Sequence, residues 1–290
     1  MNQQSVRNNC PIDGTKLDFY HSWTLLRQNY KAFLGTELFA IGASFVILSL
    51  GYILSWVFNP DSTSFFSNRF YLESSYRWVS LSIAYLVLNA FINCQTGLAY
   101  DIMSSGEMFA EFKSSFGYFV QHWWKYIFLS IFIGSMGMSF VFNPRFRDPN
   151  IPPTPSFPLP VLLGLVLVGI LSFFWFAIFN QSLASVNAQG KLGRALIESI
   201  RIFRADPKRV LSTWGVFYLI FSVPGIIFEF VLRILTVSEF TSQIIILFFM
   251  LVYNLFIILI GLPLRALIVT GLYNNIPFKR FKPDLIENTK

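Results

Sequence analysis

Long apolar runs alternate with short polar segments along the whole chain, and the alternation recurs three times. A membrane-crossing helix needs about 20 predominantly apolar residues. Six segments meet that requirement: residues 33–58, 79–100, 126–142, 161–183, 210–235 and 243–262. The third is the shortest, and the sixth extends to Tyr273 if the helix tilts or continues beyond the hydrocarbon.

The polar segments before the odd-numbered runs have a helical period of their own. Phe19, Trp23, Leu26 and Tyr30 share one helical face. Met108, Phe109, Phe112, Phe116, Phe119, Val120 and Trp123 share another, and Leu192, Leu196, Ile200 and Phe203 a third. Apolar residues spaced by about 3.6 positions define an amphipathic helix. In the third of these lead-ins, Arg194, Glu198 and Arg201 fall opposite the apolar residues. Such helices either lie in the interface beside anionic headgroups or pack on the end of their own bundle.

The predicted fold is an all-α membrane protein of six transmembrane helices. They form three tandem hairpins, each preceded by a cytoplasmic amphipathic helix. A polar N-terminal segment (1–18) precedes the membrane domain (19–275), with repeats at about 19–106, 107–190 and 191–275, and a basic tail (276–290) follows. The first 18 residues lack an apolar core, so the first long run reads as an uncleaved anchor. Ser22-Trp23-Thr24-Leu25-Leu26-Arg27 matches Ser199-Ile200-Arg201-Ile202-Phe203-Arg204, and Ser115 falls between them. Gln95-Thr96 aligns with Gln181-Ser182, and Thr96-Gly97-Leu98 with Thr270-Gly271-Leu272.

Basic residues set the orientation. Every Lys, with Arg194, Arg201, Arg204 and Arg209, falls on the side of the lead-ins. The opposite loops hold Arg69, Arg77, Arg145 and Arg147, with Arg233 at a helix end. Both termini are therefore expected in the cytoplasm, in a multi-pass protein of the cell membrane. The segment 143–160 holds seven of the 14 Pro and reads as a stiff external spacer.

Composition agrees with this pattern. Hydrophobic residues make up 54% of the 290 and charged residues 13%, against about 25% in soluble domains. The 34 Phe suit helix surfaces facing lipid. The net charge of +7 is concentrated in the lead-ins and tail, so membrane lipids with anionic headgroups are the expected partners and nucleic acid is not. Arg194, Arg201, Arg204, Trp123 and Trp124 are the candidate lipid-interface residues.

Intramembrane polar groups are costly and often functional. Glu229 and Arg233 lie four residues apart in the fifth span, where they can pair. Asn89, Asn93, Asn180, Gln181 and Asn254 all fall on the returning, even-numbered helices, as does Gln95. They read as central packing of those helices or as a polar pathway between them. Glu37 is expected in the first turns of the first span, complementing a helix N-terminus, and Arg265 at the inner boundary of the sixth. His21 and His122 are expected at the interface. No hydrolase, metalloprotease or phosphate-loop motif is present. Cys10-Pro11-Ile12-Asp13-Gly14 lacks the second pair a zinc site requires. No catalytic residue, cofactor or metal is expected.

On the Ser199–Arg204 segment, the Gly-Leu steps at Gly97-Leu98 and Gly271-Leu272, and Leu262-Pro263-Leu264, the chain resembles uncharacterised prokaryotic, notably archaeal, six-span integral membrane proteins. It is similar through them to the membrane domain fused to some glycerophosphodiester phosphodiesterases. The resemblance implies a membrane module without the hydrolase. The expected function is a non-enzymatic scaffold or lipid-interacting membrane module. The alternative is a small-molecule, ion or lipid transporter or channel using the polar groups of the even helices.

Overall fold

The computed structural model describes residues 14–58, 75–104, 111–141, 159–225, 248–249 and 251–280. These residues are helical with no strand among them. The elements are α1 (Gly14–Phe58), α2 (Ser75–Ser104), α3 (Phe112–Val141), α4 (Leu159–Phe179), α5 (Ser182–Gln189), α6 (Leu192–Ala205), α7 (Pro207–Phe221) and α8 (Leu262–Asn275). A π-helical turn, Ile257–Gly261, leads into α8. Among the described residues, four helices are long and apolar enough to cross a membrane: Gly14–Leu54, Val79–Met103, Leu167–Gln189 and Leu251–Asn275. Glu229, Arg233 and almost all of the proline-rich segment lie outside the described residues.

Local sequence explains the breaks. The first lead-in and the first span form one helix, kinked at Asn29 (φ −113°, ψ 15°), whose side-chain amide donates to the Leu25 carbonyl at 3.1 Å. A side chain bonding back into its own helix is a recognised source of such bends. The fourth predicted span is divided: α4 stops at Phe179, Asn180-Gln181 forms a turn, and α5 continues to Gln189. Gly190 ends α5 with φ 66°, a left-handed conformation that glycine adopts without a Cβ penalty. Asp206 caps α7 by accepting from the Arg209 backbone N–H, with Pro207 at the first helical position, where its missing N–H costs nothing. Pro263 removes a donor and crowds the carbonyl one turn back, and the preceding residues relax into the π turn. The sixth predicted span therefore continues past Leu262 to Asn275.

The packed core sits toward the lead-in end of the bundle. There α2, α5 and α8 pack on one another, with α1 and α3 against α2. Leu98, Ala184 and Leu272 are fully buried on these three returning segments. Burial follows the sequence spacing: Ser22, Ser115 and Ser199 are buried, as are Phe33, Tyr126 and Val210; Thr36, Leu129 and Thr213; and Ala40, Ile133 and Phe217. On the returning helices Thr96, Ser182 and Thr270 are buried in the same way.

Away from that end the helices are apolar and exposed. Phe45 is 69% exposed, Leu167 58%, Leu219 63% and Phe248 60%. So much contiguous exposed apolar surface is unsuited to water and suited to acyl chains. With the four long apolar helices, it marks the chain as a membrane protein.

Candidate functional site

The helix ends that form the core carry an unusual share of polar side chains, and most of these bond across elements. Tyr126 on α3 donates its hydroxyl to Asn187 Oδ1 on α5 at 2.5 Å, and Asn187 Nδ2 donates to Thr96 Oγ1 on α2 at 3.1 Å. Asn93 Nδ2 donates to Ser130 Oγ on α3 at 2.7 Å, and Ser130 donates to the Tyr126 carbonyl. Thr270 on α8 closes toward the Thr96 carbonyl at 3.5 Å. Hydrogen bonding of this kind holds helices together where lipid offers no competing partner.

A second cluster is built on Glu198. Its carboxylate accepts from Ser185 Oγ (2.5 Å) and Tyr273 OH (3.1 Å) at Oε2, and from Gln189 Nε2 (3.2 Å) at Oε1. Glu198 is fully buried. This corrects its placement on the exposed face of α6 beside Arg194 and Arg201. The inward face is Ala195, Glu198, Ser199 and Ile202, while Leu192, Leu196 and Phe203 pack on the edge of the core. Helical spacing picked out the side of Leu192, Leu196, Ile200 and Phe203, which is only partly buried. It could not show that the neighbouring strip of α6 meets three donors from α5 and α8.

Glu37 is also corrected. It is buried well inside α1, away from that helix's own N-terminus, and accepts from Gln95 Nε2 at 3.1 Å. Its Oε2 and Gln95 Oε1 are buried with no donor among the described residues. One turn away, Thr36 Oγ1 donates to Ser115 Oγ, joining α1 to α3. The continuity of α1 through the lead-in, which apolar runs alone did not reveal, moved Glu37 to the helix interior.

The amides do not form one cluster on the returning helices. Asn89 donates to the Tyr85 carbonyl of its own helix. Gln181, in the orientation that satisfies its amide, accepts from Trp214 Nε1 at 2.7 Å and donates to the Ile178 and Ala177 carbonyls. Asn180 Oδ1 accepts from Arg265 Nε and Nη2 at 3.2 and 2.7 Å, which fixes the amide and leaves Nδ2 buried without a partner. Arg265 also lies over the Phe176 ring at 5.5 Å, within α8. Asn254 lies on an exposed stretch of helix. Amide groups that alternate between donor and acceptor are satisfied by whichever element is nearest, so Asn93, Gln95 and Gln181 reach out to α3, α1 and α7.

Two further contacts were not foreseen from the sequence. Asp18 accepts both Arg209 Nε (2.8 Å) and Nη2 (2.5 Å), fastening the start of α1 to the α6–α7 turn. Their separation of 191 residues gave no local signal. The bond to Asp18 raises the Arg209 pKa further above its usual range. Tyr118 donates to Asp101 Oδ1 at 2.5 Å; burial, then the Asp101 carboxylate, raises its pKa.

The predicted interface residues lie outside this core. Trp123 and Trp124 are each 49% exposed, and Arg204 is exposed at the end of α6. Arg201 Nη1 donates to the Lys279 carbonyl at 3.0 Å, tying α6 to the chain after α8. His21 is exposed and His122 partly buried, with Lys125 Nζ 3.1 Å from His122 Nδ1. Burial, then Lys125, lowers the His122 pKa below its ordinary 6.5. Between that lowered value and 6.5 the unfolded chain binds more protons than the folded one. This contribution is therefore complete above about pH 6.5 and is lost as pH falls through the folded pKa. The melting temperature in detergent should fall between about pH 7 and pH 5, and His122→Asn should flatten that fall. Equal acid sensitivity in the variant would refute the assignment.

Compared with protein-family models, curated proteins and solved structures, the chain matches none.

Proposed function

We propose that this protein is a non-enzymatic six-span scaffold or lipid-interacting module of the cell membrane, with three tandem hairpins and both termini cytoplasmic. The observation that carries this reading is where the polar chemistry sits. The ends of the three returning segments close on one another, with Leu98, Ala184 and Leu272 fully buried. Most of the polar groups around them are bonded to neighbouring helices. The groups left facing outward are the basic residues and tryptophans of the lead-ins. The recurrence of buried positions at 22, 115 and 199, and at 33, 126 and 210, supports the three-repeat reading. The resemblance to the membrane domain of glycerophosphodiester phosphodiesterases fits such a module. The transport alternative, which uses the polar groups of the even-numbered helices, draws no support from amides bonded to their neighbours, and Glu229 lies outside the described residues.

The charges of α6 provide the test. A basic residue near an anionic surface contributes about 1 kcal/mol. Replacing Arg194, Arg201 and Arg204 together with Gln should lower the enrichment of anionic lipid around the protein in nanodiscs by up to about a hundredfold. Energy transfer from the protein's tryptophans to a labelled anionic lipid reports that enrichment. Unchanged transfer would refute the lipid-interacting reading.

A further inference from the structure

Two helix irregularities face each other across the bundle. On one side α1 kinks at Asn29. On the other, the chain makes its π turn at Ile257–Gly261, and this turn contacts α1. Irregular turns of this kind leave space where regular helices would pack. Between them lies a cavity of about 390 Å³. Trp23, Arg27 and Tyr30 form its α1 wall, and Leu255, Leu259 and Ile260 the opposite wall. The volume falls in the range of small-ligand sites.

The chemistry of the walls is divided. The opposite side, Leu255, Phe256, Leu259 and Ile260, is entirely apolar. The charged group on the cavity is Arg27, an exposed residue with no carboxylate or carbonyl bonded to its guanidinium among the described residues. On its other side Arg27 borders a second, smaller recess with Gln28 and with Thr24, whose hydroxyl donates to the Tyr20 carbonyl and can still accept. A polar recess, a single cation and an apolar slot thus lie in sequence. They sit where the basic, aromatic lead-in meets the membrane-spanning part of α1. Arginine binds phosphate through a planar, forked set of donors, and Trp and Tyr suit the headgroup boundary.

We propose that this cleft holds one phospholipid of the surrounding leaflet, with its phosphate on Arg27, its headgroup against Thr24 and Gln28, and an acyl chain along Leu259 and Ile260. The inference rests on the lipid-interacting reading and gives it a specific site, distinct from the diffuse attraction of the α6 charges. Charge complementarity selects the occupant: a helix or a neutral apolar molecule would leave Arg27 and its polar recess unused.

The test is native mass spectrometry of the full chain released from mild detergent, after incubation with phosphatidylglycerol or with diacylglycerol of the same chains. The expected result is one phosphatidylglycerol retained per protein and no retained diacylglycerol. Arg27→Ala should cut retention about tenfold and Arg27→Lys less, because lysine keeps the charge without the fork. Ile260→Trp, which fills the slot and leaves Arg27 in place, should also abolish retention. Because Arg27 is exposed, its substitution leaves the core intact. Retention unchanged by both Arg27→Ala and Ile260→Trp would overturn the site. Diacylglycerol held as well as phosphatidylglycerol would overturn the phosphate assignment. The Arg194, Arg201, Arg204 variant, measured in parallel, separates the two ideas. If it alone loses anionic-lipid enrichment while Arg27→Ala keeps its bound lipid, the cleft fails and the broader reading stands. If Arg27→Ala alone loses lipid, the cleft stands and the α6 charges are not the attraction.

Discussion

Replacing Glu198 with Leu should destabilise this protein by about 3 kcal/mol or more, because three buried donors lose their acceptor. Leucine is close in size but accepts no hydrogen bond. The hydroxyls of Ser185 and Tyr273 and the amide of Gln189, all now directed at the carboxylate, would lose their acceptor in a fully buried site. Each stranded donor carries a desolvation cost of about 1–3 kcal/mol. Glu198→Gln should cost much less. Both hydroxyls can rotate to accept from the new amide, and the amide oxygen can still take the Gln189 bond. The order wild type, Gln, Leu in reversible mixed-micelle unfolding is the expected result. A Leu variant as stable as wild type would mean that Glu198 faces lipid or water, as helical spacing alone suggested. Because the donors come from α5 and α8, the loss should loosen the junction of the second and third predicted repeats first. Hydrogen exchange should rise there before it rises in the α1–α2 pair.

The second large effect is expected at Gly97. A Cβ there would lie 2.4 Å from Tyr118 Cγ and 2.9 Å from its Cβ. Those ring-base atoms cannot swing away without moving α3, and Tyr118 is held by its bond to Asp101. Gly97→Ala should therefore cost about 1–3 kcal/mol by overpacking, and Gly97→Leu should prevent α2 and α3 from seating together. At Gly271, aligned with Gly97 by sequence, an added Cβ would meet nothing nearer than Met103 Cε at 3.8 Å, an ordinary contact. Gly271→Ala should be neutral or slightly stabilising, since alanine is favoured over glycine within a helix. Thermal unfolding of the two alanine variants decides this, and equal melting temperatures would refute the distinction. A Gly97→Ala, Tyr118→Ala double variant should lose less than the sum of its parts, because the first substitution harms the protein through the second residue.

The contrast between these glycines shows what sequence could and could not assign. Gly97-Leu98 and Gly271-Leu272 look equivalent in spacing and neighbours. Which glycine admits another helix depends on an aromatic residue, Tyr118, that follows Gly97 by 21 positions on a separate helix. The same limit applies to Glu198. The 3.6-residue period gave the helix and the approximate direction of its apolar side. Local periodicity carries no record of what other segments bring to the remaining faces.

By itself the sequence determined the all-helical class and the membrane environment. These follow from a local, additive quantity, the length and composition of the apolar runs. The same local logic located the polar amides. Tertiary structure alone decided where those polar groups were satisfied. It buried Glu198 among three donors, placed Glu37 beside Gln95, and joined Asp18 to Arg209. It also set the Asn29 kink and the π turn on opposite walls of one cleft. The physical reason is that a buried polar group must find its partner wherever the fold brings one, and that partner's position in the chain is not constrained by the helical period that sequence reading relies on.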